Sequence, residues 1–112
     1  MQNDYCKVYV DDDRPRDAVV EAIRSASRGC LEGQATIRTD NYVVDVEDNE
    51  EYDQFKRSEP TDGFLYYRYY LDVERLRDRS AYIQSLSSLL RAMRGAGFNL
   101  VPACDFEEQL AG

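Results

Sequence analysis

The side chains best equipped for chemistry are carboxylates set close together: Asp45, Glu47, Asp48, Glu50, Glu51 and Asp53. Oxygen donors at this spacing suit a hard cation, and the stretch from Asp45 to Lys56 has the outline of a calcium loop. Two positions break the pattern. The sixth is Glu50 where the sharp turn needs glycine, and the twelfth is Lys56 where a bidentate glutamate is needed. A calcium site of that type is therefore rejected. Two readings remain for the run: a solvated segment that keeps the chain in solution, or a docking surface for a basic protein. A second acidic group, Asp11-Asp12-Asp13, stands just before Pro15. It reads as favourable charge at the positive end of a helix, not as a metal site.

Nucleophilic chemistry has little to work with. The chain contains no histidine, which removes every Ser-His, Cys-His and His-metal arrangement. Cys6, Cys30 and Cys104 are an odd number at wide spacing, neither a disulfide framework nor a zinc motif. They read as small buried hydrophobes in a reducing cytoplasm. An enzyme would have to gather tyrosines, acids, Arg68 and Cys104 in a pocket. Asp105 beside Cys104 disfavours its thiolate, and no phosphate-binding glycine loop is present. The residues point away from catalysis, and no cofactor is implied.

Net charge is −8, with twelve arginines and two lysines against 22 acids. Free nucleic acid is a poor partner for such a chain, because backbone binding needs clustered cations. From Asp40 to Asp62 there are nine carboxylates against Lys56 and Arg57, so most of the charge sits in about a fifth of the length. No apolar run approaches the roughly 18 residues that span a membrane. Met1 to Lys7 lacks the basic head and apolar stretch of a secretory signal. A single cytoplasmic domain over residues 1–112 is expected.

The elements that position these groups are organised around Gly63 to Val73, which carries five aromatic residues and reads as a strand. Alternation sends Leu65, Tyr67, Tyr69, Leu71 and Val73 inward, and Phe64, Tyr66, Arg68, Tyr70 and Asp72 outward. Outward tyrosines serve either as cover for the sheet through cross-strand contacts or as anchors of an interface. Before it come a strand at Asp4–Asp11 and a helix from Pro15 to about Arg28. Val19, Ala22, Ile23 and Ala26 form that helix's buried stripe, and Gly29 its stop. Strands at Gln34–Arg38 and Tyr42–Glu47 flank a turn at Thr39-Asp40-Asn41. A polar connection follows, from Asp48 to Asp62. A second helix starts at an Asp78 or Ser80 cap, carries Tyr82, Ile83, Leu86, Leu89, Leu90 and Met93, and ends at Gly95-Ala96-Gly97. A last strand runs from Phe98 to Val101, limited by Pro102 to a strand end or a sheet edge. Asp105 to Glu108 forms a short turn from which Leu110 packs back.

The expected fold is α+β: a ferredoxin-like sandwich variant of order β-α-β-β-β-α-β. Its sheet would be mixed or antiparallel, with two helices on one face. The other face would show Lys7, Tyr9, Thr36, Arg38, Asp45, Glu47, Tyr66, Arg68 and Tyr70.

Three stretches carry a resemblance: Tyr9-Val-Asp-Asp-Asp13, Asp62-Gly-Phe-Leu-Tyr-Tyr-Arg-Tyr-Tyr70 and Val101-Pro-Ala-Cys-Asp-Phe-Glu-Glu108. Together they are similar to small acidic actinobacterial proteins of unassigned function. In composition the chain also resembles immunity proteins of polymorphic toxin systems. That likeness implies a non-catalytic inhibitor and transfers no site residues. The expected contact residues are Tyr9, Asp45, Glu47, Asp48, Glu50, Glu51, Asp53, Tyr66, Arg68 and Tyr70, facing a basic protein. The alternative is a homodimer formed through the open sheet face, as a structural or regulatory subunit.

Overall fold

The computed structural model describes residues 4–110. Six strands form one antiparallel sheet: β1 (Cys6–Asp11), β2 (Cys30–Glu32), β3 (Thr36–Arg38), β4 (Tyr42–Asp48), β5 (Tyr69–Arg75) and β6 (Asn99–Ala103). Their spatial order is β2-β3-β4-β5-β1-β6. Helix α1 (Arg16–Ser27) follows β1, and α2 (Arg79–Gly95) joins β5 to β6. The α+β class is as expected, and no helix among the described residues is long and apolar enough to cross a membrane.

Period-two alternation builds the core side of the sheet. Val8 and Val10 on β1, Val44 and Val46 on β4, and Leu71 and Val73 on β5 are all buried. Register pairs Val8 with Leu71 and Val44 with Val73. Helical spacing supplies the rest: Val19, Val20 and Ile23 from α1, and Leu86, Leu89, Leu90 and Met93 from α2. Val20 takes the place expected of Ala26, which is exposed. The two helices touch each other, and their buried residues join the strands in a single core cluster. Each large apolar side chain so buried contributes about 1.5–3 kcal/mol by transfer from water. An exposed ion pair such as Arg24–Glu21 adds little, because water and salt screen it. Burial, not surface charge, holds the sheet and helices together.

Asp4 on one side and Phe106 and Leu110 on the other close over this core. Tyr82 donates its hydroxyl to the Asp4 carbonyl at 2.7 Å, and the Asp4 carboxylate accepts from Arg75 at 2.8 Å and Arg79 at 2.9 Å. At the other terminus Phe106 packs edge-on to Tyr82, with centroids 5.6 Å apart, and Leu110 is buried. The cap of α2 is Asp78, whose side chain accepts from the Ala81 amide at 2.9 Å.

Three expectations need correction. The sheet has six strands, because Cys30–Glu32 forms a short edge strand pairing with β3 through Leu31 and Ile37. The end of α1 is made by Arg28, which takes the left-handed conformation at φ 57°. Gly29 is instead required by space: a Cβ there would stand 2.5 Å from the Ile37 side chain. Finally, the aromatic ribbon is not one strand. Gly63–Tyr66 is a turn of 3-10 helix, and β5 begins only at Tyr69.

Candidate functional site

The connection between β4 and β5, residues 49–68, is folded against the rest of the chain. It contains two short 3-10 turns, Lys56–Ser58 and Gly63–Tyr66. Asn49 closes its base. The Asn49 amide N–H donates to the Arg68 carbonyl at 2.9 Å, and its side chain donates to the carbonyls of Leu65 at 3.0 Å and Tyr67 at 2.7 Å. Asp53 orders the middle by accepting from the amides of Phe55 at 2.8 Å and Lys56 at 3.0 Å. Those two backbone donors, that of Lys56 first, hold the Asp53 carboxyl below its ordinary range. Arg57 ties the loop to the end of β1, donating to Asp11 and Asp13 at 3.2 Å each. The hydrogen bond to Asp13 is the chief reason its guanidinium is held even more firmly protonated.

Two rings complete the attachment. Phe64 meets Tyr9 edge-on, with centroids 5.3 Å apart. Tyr9 is thereby 9% exposed, so the sheet face expected to lie open is covered at its centre by the chain's own loop. Tyr70 lies across the strand from Tyr9, 6.4 Å between centroids, and the Lys7 ammonium stands 4.2 Å over the Tyr70 ring. Partial burial, with Asp72 and then Glu47 and Glu50 nearby, raises the Tyr70 phenol above its usual range.

The expected contact residues do not share one setting. Asp45 and Glu47 line the sheet beside Tyr70, where Asp45 accepts from the Thr36 hydroxyl at 2.5 Å. Asp48 is exposed at the end of β4 and stands 3.5 Å from Arg16. Glu50 and Glu51 are exposed at the start of the loop. Tyr66, with the Lys56 ammonium 5.3 Å over its ring, is half-buried. Arg68 lies between rings, 5.8 Å from Tyr52 and 5.6 Å from Tyr69. Tyr9 and Asp53 are consumed by the fold of the loop itself.

Sequence reasoning passed over Tyr52 and Phe55 and sent Leu65 inward, and the loop leaves all three exposed. Phe55 is 78% exposed, Leu65 39% and Tyr52 38%. The available signal was a phenylalanine inside an otherwise charged connection, a position where nothing in the pattern calls for a ring. Among the described residues no group of three or more Cys, Asp or Glu side chains is placed to hold a metal ion. A polar cavity of about 270 Å³ lies elsewhere, lined by Ser27, Thr39, Asn41, Tyr42 and Ser85. No protein-family model, curated protein or solved structure matches this chain, so the site is read from its own geometry.

Proposed function

We propose that the chain is a non-catalytic binding protein that docks a basic protein partner, in the manner of an immunity protein or inhibitor. The observation that carries this reading is Phe55, 78% exposed on a loop whose ends and middle are fixed by hydrogen bonds. An exposed ring gains about 1.5–3 kcal/mol when a partner covers it, and central aromatic anchors dominate interface energies. A loop already folded loses less entropy on binding than a free one. The carboxylates around it, Glu47, Asp48, Glu50 and Glu51 above all, supply the long-range field that steers a cationic partner. On this reading the contact surface is the loop and the adjoining ends of the central strands β4 and β5, with Tyr66 and Tyr70 at its border.

The scaffold supports the same reading. Setting aside the β2–β3 hairpin, the order β4-β5-β1-β6 is all antiparallel, with α1 linking β1 to β4 and α2 linking β5 to β6. We read this as a ferredoxin-like sandwich with both helices behind one face. The loop then lies on the side away from the helices.

The test uses the intact chain as bait in lysate of its source organism, beside Phe55→Ala and the double reversal Glu50→Lys, Glu51→Lys. Proteins retained by the parent are identified, purified and titrated by calorimetry at low and high salt. The expected partner is basic, loses at least about tenfold in affinity to Phe55→Ala, and weakens with salt. A partner that binds all three baits equally, or is itself acidic, overturns the proposal. A second reading, self-association, is favoured by edge strand β2, whose outer side pairs with no strand among the described residues and whose Leu31 is 48% exposed. Light scattering of the parent and of Leu31→Lys separates the two.

A further inference from the structure

Cys6 and Cys104 stand far apart in sequence and together in space. The register of β1 against β6 ends at Lys7 opposite Ala103, and one step further sets Cys6 opposite Cys104. Both lie on the core side, Cys6 fully buried and Cys104 partly exposed. Their sulfurs are 2.7 Å apart. A disulfide needs about 2.05 Å, so less than about 1 Å separates the free pair from a bond. Cys6 opens β1 and Cys104 directly follows the last residue of β6, so the ladder between these strands fixes where the two side chains meet.

We infer that Cys6 and Cys104 are a redox modification site: a dithiol that low-molecular-weight disulfides convert into an intramolecular staple between β1 and β6. This inference is independent of the docking loop. The partly exposed Cys104 is the point of entry. Its thiolate attacks one sulfur of glutathione disulfide, forming a mixed disulfide and releasing one glutathione thiolate. The Cys6 thiolate then attacks the Cys104 sulfur, the Cys6–Cys104 bond forms, and the second glutathione leaves as thiolate. Two electrons pass from the protein to the glutathione disulfide, and the two thiol protons end on the released glutathiones at neutral pH. Burial raises both thiols, Cys6 the more strongly, so the pair is slow and a stored capacity more than a rapid catalyst. The bond would close the chain over a separation of 98 residues, which stabilises chiefly by restricting the unfolded state.

The test begins from Cys30→Ser, which removes the exposed thiol and leaves two cysteines. The reduced protein is incubated, folded, with glutathione disulfide at mildly alkaline pH. The expected result is loss of both free thiols and a mass decrease of two hydrogens. Peptide mapping joins the Cys6 and Cys104 peptides in a monomer, and Tm rises by at least about 5 °C, reversed by dithiothreitol. Cys104→Ser in the same background shows none of these changes. Survival of both thiols overturns the inference. So does arrest at a glutathione adduct on Cys104, or a bond that forms only between two chains.

Discussion

The side-chain amide of Asn49 donates to the backbone carbonyl of Tyr67 at 2.7 Å, just beyond the point where the ladder pairs Asp48 of β4 with Tyr69 of β5, and so closes the base of the acidic loop. The same amide also reaches the Leu65 carbonyl, and the Asn49 oxygen accepts from the Glu51 amide at 3.0 Å. The shape of the proposed docking surface therefore depends on a residue that is not itself part of it.

Asn49→Ala removes both donors and the acceptor. The expected cost is about 1–2 kcal/mol, concentrated in the loop. Amide exchange at Glu51 and Asp53 should accelerate roughly tenfold, while Val44 and Leu71 in the central strands keep their protection. Equal acceleration in the strands would show that the loop is not a separate opening unit.

Two glycines should respond with opposite sign. A Cβ on Gly63 would stand 2.6 Å from the Arg57 carbonyl oxygen and 3.0 Å from its carbon, and backbone cannot step aside as a side chain can. Gly63→Ala should destabilise by about 1–3 kcal/mol. Gly95, in the last turn of α2, has nothing within 4 Å of its Cβ position. Gly95→Ala should stabilise by about 0.4–1 kcal/mol by restricting the unfolded chain. Urea midpoints of the two variants check both signs.

These glycines also show what the sequence made legible. The strands β1, β4 and β5 from Tyr69 onward, both helices, the Thr39–Tyr42 turn and the Asp78 cap follow from alternation, helical spacing and turn chemistry. Leu71 and Val73 face the core as their parity requires. Residues Phe64 to Tyr67 defeat the same rule. Their composition is strand-like, yet Gly63 allows close packing on Arg57, and Asn49 captures the carbonyls on either side of Tyr66. The first is a contact within the loop and the second crosses it from end to end, and neither has a signature in the residues beside it. The edge strand β2 was equally hidden, because all three of its side chains are exposed and no alternation marks them. For the site, the acidic run was legible but its ring was not. Phe55 gains meaning only once the loop is seen to be folded and still to leave that ring in water.

Acid should loosen the loop in a defined window. The folded Asp53 carboxyl titrates below its ordinary 3.8, because the ionised form accepts from the Lys56 and Phe55 amides. A depressed carboxyl contributes stability that is fully present above its unfolded value, about 3.9, and is lost as pH falls through the lower folded value. The Phe55 and Lys56 amide resonances should therefore shift with a midpoint below 3.8. A midpoint at or above the unfolded value would show that these hydrogen bonds do not hold in solution.

Base should act on the core through Tyr42. Its ring is 2% exposed and packs near Tyr82, with centroids 6.4 Å apart. Burial pushes its phenol up to about 12, only partly offset by a hydrogen bond with Ser27. The unfolded chain ionises the same group near 10, so its contribution is complete below that pH and is lost as pH rises toward the folded value. At pH 11 the loss from this residue is about 1.4 kcal/mol. Burial also raises Tyr5 and Tyr82, so the total decline is steeper than one group gives. Tyr42→Phe cannot ionise and should lose less stability between neutral pH and pH 11, by about that amount. Urea unfolding of both proteins, with phenolate absorbance followed alongside, measures the difference. Parallel declines would mean that the Tyr42 hydroxyl reaches water in the folded protein, and that the packing of β4 against α2 is looser than its 2% exposure implies.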